Sequence, residues 1–490
     1  MTLADYRFLD ASRWGNRLYL GGWQASTAGT ITVTEPATGG PLARIGLATP
    51  ADVSVAVARA KAAQPAWAET GHRTRMELLL KAAAVLEANA EELIEWIVRE
   101  NGAIRPKAAV EIAETVALFR HAAGMLTEAH GHVLPSRAGR LSYGQRVPHG
   151  VVGVISPFNF PMILGARAVA PALATGNTVV LKPDPRTPVT GGVLMARALE
   201  EAGFPPDVFH MLPGGAEVGR ALVEHPDTRL IAFTGSTAAG RAIGETCGRL
   251  LKRMSLELGG KSSLVVLEDA DLELAASNAA FGAYFHQGQV CMASGRILVQ
   301  ESVARPFARL LAERASHLPV GNPATENVAL GPLISADQLD RVHAIVQEAI
   351  NQGAVLETGG SYEGLFYRPT VLSGVTRGMR AYRDEVFGPV ASLISFGTDD
   401  EAVAIANDTD YGLSGAVISP DVGRALALGI RINSGLLHIN DQTIADEVSN
   451  PFGGRGASGN GGNIGGPANW DLFTQWRWIT IENRPTQKPY

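Results

Sequence analysis

Apolar residues recur in two rhythms along the chain. Through residues 50–130 they keep helical spacing. Val53, Ala56, Val57 and Ala60 mark one amphipathic face, and Leu78, Leu79, Ala82, Leu86 and Ala90 mark another. From Val151 onward the runs become short and continuously apolar. Residues 151–155, 178–182, 208–212 and 229–233 read as buried strands. The stretches 163–174, 189–202, 216–224 and one starting at Thr237 read as helices between them. Short buried strands alternating with helices predict a parallel sheet with right-handed crossovers. A second alternation opens at 262–267, passes through 296–299 and runs to about Asn440. The end of the chain is glycine-rich and then aromatic. Its strand-like stretch 476–481 carries large side chains that suit pairing with another subunit or docking on its own domain.

A length of 490 residues predicts two or three domains. With 46% hydrophobic and 18% charged residues the composition is that of a globular protein. The formal net charge of -6 is spread over both signs, which excludes a basic stripe for nucleic acid and a polybasic membrane patch. Cys247 and Cys291 are the only cysteines. That number excludes a disulfide framework, and their spacing fits no zinc site, so no metal is expected. No apolar signal core stands at residues 1–10 and no apolar run is long enough to span a membrane, so a reducing cytoplasm is the expected compartment.

Four segments carry candidate chemistry. In Phe285-His286-Gln287-Gly288-Gln289-Val290-Cys291 a cysteine follows a glycine-containing turn. Taken alone it reads first as an ordinary buried residue and second as a nucleophile, whose thiol, ordinarily ionising near pH 8.5, helix amides beneath the sulfur would activate. Cys247, in an Ala/Gly-rich helix, reads as an ordinary buried residue. In Glu257-Leu258-Gly259-Gly260-Lys261-Ser262 a carboxylate ends an apolar strand, as a surface group, a capping partner or a base that deprotonates water. Ser156-Pro157-Phe158-Asn159-Phe160-Pro161 closes the first strand of the wound sheet, at the edge where such folds bind ligands. Asn159 there is a turn residue or an amide donor for an oxyanion. Phe233-Thr234-Gly235-Ser236-Thr237 turns from strand to helix and suits a phosphate. Gly235 and Gly240 have P-loop spacing, but Arg241 and Ala242 replace the Lys-Ser/Thr pair and remove the NTPase reading. Lys182, at a neighbouring strand tip, reaches a ribose hydroxyl or sits in solvent.

Taken together, the segments resemble the aldehyde dehydrogenase superfamily over nearly the whole chain. Seven motifs occur in that family's order: the Asn159 loop, Lys182-Pro183, 233–237, 257–262, Gly288-Gln289-Val290-Cys291, Glu385-Val386-Phe387-Gly388-Pro389 and Pro451-Phe452-Gly453-Gly454. Phe285-His286-Gln287, Lys182-Pro183-Asp184-Pro185-Arg186-Thr187 and the ending 473–480 are most similar to the benzaldehyde, vanillin and salicylaldehyde branch. The resemblance implies an α/β fold: a Rossmann-like cofactor domain (1–124 and 149–258), a second α/β catalytic domain (259–449) and a small β oligomerisation arm (125–148 and 470–490). It implies that Cys291 attacks the aldehyde carbon, Asn159 and the Cys291 amide hold the oxyanion, and hydride transfer to NAD or NADP leaves a thioester. Glu257 then activates water. Lys182, Ser156, Gly235, Ser236, Glu385 and Phe387 bind the cofactor. Phe160, Arg167 and Phe452 line the substrate pocket, and the protein is a homodimer or homotetramer serving aromatic compound breakdown.

Departures from the family pattern add expectations. Pro185, beside Arg186, stands where NAD-preferring relatives carry a glutamate, so NADP is expected to be tolerated as well as NAD. Gly453-Gly454-Arg455-Gly456 stands where the family has Gly-Gly-x-Lys, and Asn463 replaces a glutamate, which puts a proton relay through that glutamate in doubt. Arg167 stands where tryptophan is common and faces a polar ring substituent or pairs with a carboxylate. Three rival readings are a CoA-acylating enzyme, which generally lacks the base now at Glu257, a non-catalytic family member, and a cofactor-free cysteine hydrolase.

Overall fold

The computed structural model describes residues 7–485 and 487–490. The first six residues of the expected cofactor half, and position 486 in the expected arm, lie outside them. Two seven-stranded sheets organise the chain. The first has the spatial order Arg253–Glu257, Thr228–Thr234, Val151–Ile155, Thr178–Lys182, Phe209–Met211, Arg17–Leu20, Trp23–Ala25. Its first five strands are parallel and its last two antiparallel. Val151–Ile155 and Thr178–Lys182 are buried at every position, as strands covered by helices on both faces must be. The chain enters this parallel set at Val151–Ile155, builds outward to Phe209–Met211, then returns on the other side through Thr228–Thr234. That reversal opens a crevice at the carboxyl ends of the two central strands. Register sets Ile155 between Lys182 and Phe233, and Thr234 against Glu257, so four strand ends stand in one row.

The second sheet runs Val355–Thr358, Thr370–Ser373, Val390–Phe396, Arg296–Gln300, Ser263–Val266, Ser414–Ile418, Leu436–Ile439. Only its edge strand Val355–Thr358 is antiparallel. Cys291 and Glu385 lie in the loops that lead into two of these strands. The carboxyl edge of one sheet therefore meets the amino edge of the other.

The helical rhythm of residues 50–130 corresponds to helices Pro50–Glu69, His72–Ala88, Ala90–Asn101 and Arg105–Met125, with Val53, Ala56, Val57, Ala60, Leu79, Ala82 and Leu86 facing inward. The single helix expected over 189–202 opens instead with a wider π-helical turn, Val189–Val193, before Leu194–Ala202. The Glu100 carboxylate accepts from the Val189 and Thr190 amides at the start of that turn, at 2.9 and 2.6 Å. The aromatic tail Thr474–Glu482 pairs with Arg140–Pro148 of its own chain along nine residues, and Gly131–Val133 adds a third strand. Trp476, Trp478, Ile481 and Val133 remain exposed on it. Among the described residues no helix is long and apolar enough to cross a membrane.

One buried ion pair ties the helical layer to the crevice. Lys107 donates to Glu111 at 2.5 Å, to Asn101 Oδ1 at 3.1 Å and to the Asn159 carbonyl at 2.8 Å, and neither charged side chain is exposed. The other Glu111 oxygen accepts from the Met162 amide at 2.9 Å, in the first turn of helix Pro161–Ala174. Removing one partner strands a buried charge, which costs about 3–5 kcal/mol. Lys107→Met should therefore lower the urea midpoint by a corresponding amount. The double variant Lys107→Met/Glu111→Leu should recover most of the loss, because no charge is left alone.

Candidate active site

Where the sheet edges meet lies a cleft of about 340 Å³. Cys291, Asn159 and Glu257 line it together with Lys182, Ser156, Gly235, Ser236, Glu385 and Phe387. Nine residues singled out from six separate stretches of sequence thus share one space.

Cys291 is presented by a tight coil. Helix Leu272–Tyr284 stops because His286, Gln287 and Gly288 take left-handed conformations in succession, with φ of 50, 56 and 67°. Gln287 anchors the coil by donating to the Gly102 and Pro332 carbonyls at 3.0 and 2.9 Å, and Gln289 accepts from the Ile334 amide at 3.1 Å. A Cβ on Gly288 would lie 2.2 Å from the Gly388 carbonyl oxygen, so only glycine fits there. Cys291 itself lies in a turn after the coil, not at the start of a helix. The expectation of helix amides beneath its sulfur therefore fails, because the coil ends the helix before the cysteine is reached. Loss of water pushes the thiol up to about 12, and the charges of Glu385, Glu257 and Asp446 add to this while Arg167 opposes it.

Asn159 is buried between the same coil and the ion pair. Its side-chain amide donates to the Gln289 carbonyl at 3.0 Å, two residues before Cys291. With its own carbonyl held by Lys107, the residue has no freedom to turn away from the sulfur loop. Glu257 ends its strand in the crevice, buried, with neither carboxylate oxygen in a completed hydrogen bond. Burial holds its carboxyl well above the usual range; Arg167 and the Gly454 amide pull it down, and Asp446 pushes it further up.

Glu385 accepts from the Gly260 amide at 3.1 Å, and burial raises its carboxyl to about 7. A Cβ on Gly259 would stand 2.4 Å from a Glu385 oxygen, so the bare glycine lets the two motifs touch. Phe387, with φ of 55°, sets its ring edge-on to Phe158 at 5.9 Å. Sequence reading missed what fixes this segment: Gln338 donates to the Phe387 carbonyl and Arg341 to the Glu385 carbonyl, both at 2.9 Å. Their helix carries no local motif, and only the tertiary fold brings it here.

The other end of the cleft fits a dinucleotide. Ser236 caps helix Thr237–Arg249 by accepting from the Ala239 amide at 3.3 Å, which leaves the helix amino terminus facing the cleft. Gly235 exposes its backbone there. The buried Ser156 hydroxyl has no partner within the protein. Lys182 is buried rather than in solvent, and burial lowers its ammonium despite Asp184 and Glu217. Arg186 forks onto Asp184 with two bonds of 2.8 Å and covers the Phe158 ring at 4.1 Å. Among the described residues no cluster of three or more His, Cys, Asp or Glu is placed to hold a metal.

The three residues read as a substrate pocket stand apart from this cleft. Phe160 packs against His286 and Phe285, with ring centroids 5.4 and 6.5 Å away, and carries the Lys107 ammonium 4.2 Å above its ring. Arg167 pairs with Asp446 and lies 4.6 Å from the Phe452 ring centroid. The pairing with a carboxylate is present, through Asp446. Arg167, Phe452 and Glu257 share a second, small cavity behind the cleft.

The raised thiol generates an expectation for the resting protein. Iodoacetamide alkylation of Cys291, followed by peptide mass mapping, should keep rising with pH through pH 10 because the ionisation lies at about 12. Glu257→Gln removes a negative charge that raises the thiol, so it should speed alkylation at pH 9 several-fold. A rate that levels off below pH 8 would contradict the electrostatic reading.

The sequence profile of the aldehyde dehydrogenase family matches residues 23–479. The chain is 52% identical to a vanillin dehydrogenase of Amycolatopsis sp. over 99% of its own length and 100% of that protein's. It is 46% identical to a benzaldehyde dehydrogenase [NAD(+)] of Pseudomonas putida, over 97% and 98% of the two chains. Among solved structures, a salicylaldehyde dehydrogenase from Pseudomonas putida G7 complexed with salicylaldehyde superposes with a TM-score of 0.93 at 36% identity, covering 97% of this chain and 99% of that one. With a fold, a cleft and a full-length sequence match that agree, the chain belongs to the aldehyde dehydrogenase family.

Proposed function

We propose that the protein oxidises an aromatic aldehyde to the carboxylic acid, using NAD+ or NADP+ and water. The observation that carries this reading is the meeting of Cys291, Asn159 and Glu257 with a dinucleotide-type donor set in one cleft. Names of relatives that act on vanillin, benzaldehyde and salicylaldehyde support an aromatic substrate.

In this reading the Cys291 thiol gives up its proton and the sulfur adds to the aldehyde carbon. The carbonyl oxygen becomes an oxyanion, held by the Asn159 side-chain amide and the Cys291 backbone amide. When bound, the nicotinamide supplies the acceptor for the aldehyde's hydride. The carbonyl then re-forms as a thioester on Cys291. Glu257 takes a proton from water, the hydroxide oxygen adds to the thioester carbon, and the carbon–sulfur bond breaks to release the acid and the Cys291 thiolate, which takes a proton back from Glu257. Aldehyde, NAD(P)+ and water become acid, NAD(P)H and a proton. Lys182 would hold the adenosine ribose, Ser236, Gly235 and Ser156 the phosphates, and Glu385 the nicotinamide ribose, with Phe387 against the ring. Presence of the base Glu257 favours water over CoA as the acyl acceptor.

Residues 1–124 with 149–258, 259–449, and 125–148 with 470–490 serve in this reading as cofactor domain, catalytic domain and oligomerisation arm. The exposed Trp476, Trp478 and Ile481 on the arm suit a contact between copies of the chain, in a homodimer or homotetramer. Two free cysteines suit a reducing cytoplasm.

Cys291→Ala should abolish reduced-nicotinamide formation with any aromatic aldehyde; activity at the native rate would refute the reading. Glu257→Gln should keep a single-turnover burst of NADH while steady-state turnover falls by roughly 10²–10⁴. An aldehyde panel should show turnover with both NAD+ and NADP+, and no turnover with NADP+ would limit the protein to NAD+. Light scattering should return two or four chain masses, and Trp478→Ser with Ile481→Ser should shift that toward one.

A further inference from the structure

Behind the cleft, Glu257 forms the wall of a second cavity, of about 20 Å³, with Arg167, Phe452, Ser255 and Ile464. That volume holds one water molecule. Arg167, on helix Pro161–Ala174, is 3% exposed. One of its three guanidinium nitrogens, Nη2, binds Asp446, and the ring of Phe452 lies under its face. Its other two nitrogens, Nε and Nη1, are buried and have no partner within the protein, and neither Glu257 oxygen is in a completed hydrogen bond, the Gly454 amide lying near enough only to lower the carboxyl. Arg167 and Glu257, each with buried polar atoms lacking a completed hydrogen bond, thus line one water-sized space. Buried polar groups of this strength do not stay unsatisfied, and a water with such neighbours is part of the structure.

We propose that Arg167 is a positioning residue for the base Glu257, acting through one water in this cavity: the guanidinium, steadied by Asp446, donates to the water, and the water donates to the carboxylate. This rests on the reading of Glu257 as the base. It gives the buried carboxylate a charge partner at its back while its front faces the thioester. The arrangement counters the loss of water that raises Glu257, and keeps the base ionised nearer neutral pH. No substrate contact is assigned to Arg167, so its effect is independent of ring substituents.

The groups facing this pair come from several elements. Glu114, from helix Arg105–Met125, feels Arg167 and Asp446, and Glu447 adds to its field. His438, from strand Leu436–Ile439, feels Asp446. Across the cleft Glu257 faces Cys291. Of these, Arg167 is the cation whose field lowers Glu257 and Asp446 the anion whose field raises it. The two therefore predict opposite shifts, which a general loosening of the fold does not produce.

The test is the pH profile of steady-state turnover with benzaldehyde and with 4-hydroxybenzaldehyde, beside the amplitude of the NADH burst, in the full-length protein. Arg167→Gln should retain the burst and move the acid limb of turnover up by roughly one pH unit. Asp446→Asn should move the same limb down. Arg167→Lys, which keeps the charge, should restore most of the native position. Both aldehydes should shift alike. If neither limb moves, if both move in one direction, or if the loss appears only with the hydroxylated substrate, the proposal is wrong. Should Arg167→Gln not fold, the downward shift in Asp446→Asn decides alone, and its absence overturns the proposal. Failure of the underlying base reading shows separately, as a Glu257→Gln protein that turns over at the native rate.

Discussion

A thiol and two carboxyl groups share one cleft, and the surrounding protein disfavours the charged form of each. Each loses hydration, and the charges of Glu385 and Glu257 further oppose ionisation of the thiol. The outcome is a thiol raised to about 12 beside a carboxyl raised to about 7 at Glu385, with Glu257 raised as well. This crowding is built by topology. The row of strand ends that brings Glu257 into the crevice is set by register in the first sheet, while Cys291 and Glu385 arrive on loops entering the second. Bringing the two sheet edges together is what removes the water. On the proposed mechanism, the site is then kept quiet between turnovers, because the nucleophile forms only when a proton has somewhere to go.

Crowding of this kind demands rigid placement, since small displacements would let the groups separate or let water in. Placement comes from backbone held in costly conformations and from groups outside the cleft. Successive left-handed residues at His286 and Gln287, and the left-handed Phe387, each store strain of about 1–3 kcal/mol. Hydrogen bonds from Gln287 to two separate carbonyls, and from Gln338 to the Phe387 carbonyl, hold them there. Lys107 and Glu111 perform the same service for Asn159 and the helix that follows it. A fully buried ion pair contributes little net stability. Its use here is geometric, since it fixes a carbonyl and a helix start that hydrophobic packing alone would leave free to slide.

How much of this was legible depends on whether the cause was local. The wound sheet could be read because strands such as 151–155 and 178–182 are buried on both faces and so spell unbroken apolar runs. The cleft residues could be read because strand ends and glycine turns leave short, dense signatures around Asn159, Gly235, Glu257 and Cys291. Gln338 and Arg341 could not, since a polar helix face looks the same whether it meets solvent or another segment's carbonyls. Helix amides beneath Cys291 were a reasonable inference from a helix followed by glycine, but the chain turns left-handed two residues earlier than that glycine. Arg167 illustrates the deeper limit. Its charge was visible, but the Asp446 that pairs with it lies 279 positions away, and only the fold decides whether an arginine meets a ligand or a carboxylate.

The ribose end of the cleft shows how a weak pair can widen specificity. Asp184 and Arg186 form a forked ion pair in which the arginine is 42% exposed and the aspartate 15%. Pairs this open to solvent contribute about 0–1 kcal/mol, so parting them costs little. Without a 2′-phosphate, Arg186 stays on Asp184 and presents neutral bulk over Phe158. With one, the guanidinium has a doubly charged anion to turn to, and the interaction gained exceeds the pair it leaves. The pyrrolidine of Pro185 between them adds no charge in either case. A glutamate there would hold its negative charge against any added phosphate. The proposed tolerance of both dinucleotides would rest on a cation that is already occupied, but loosely.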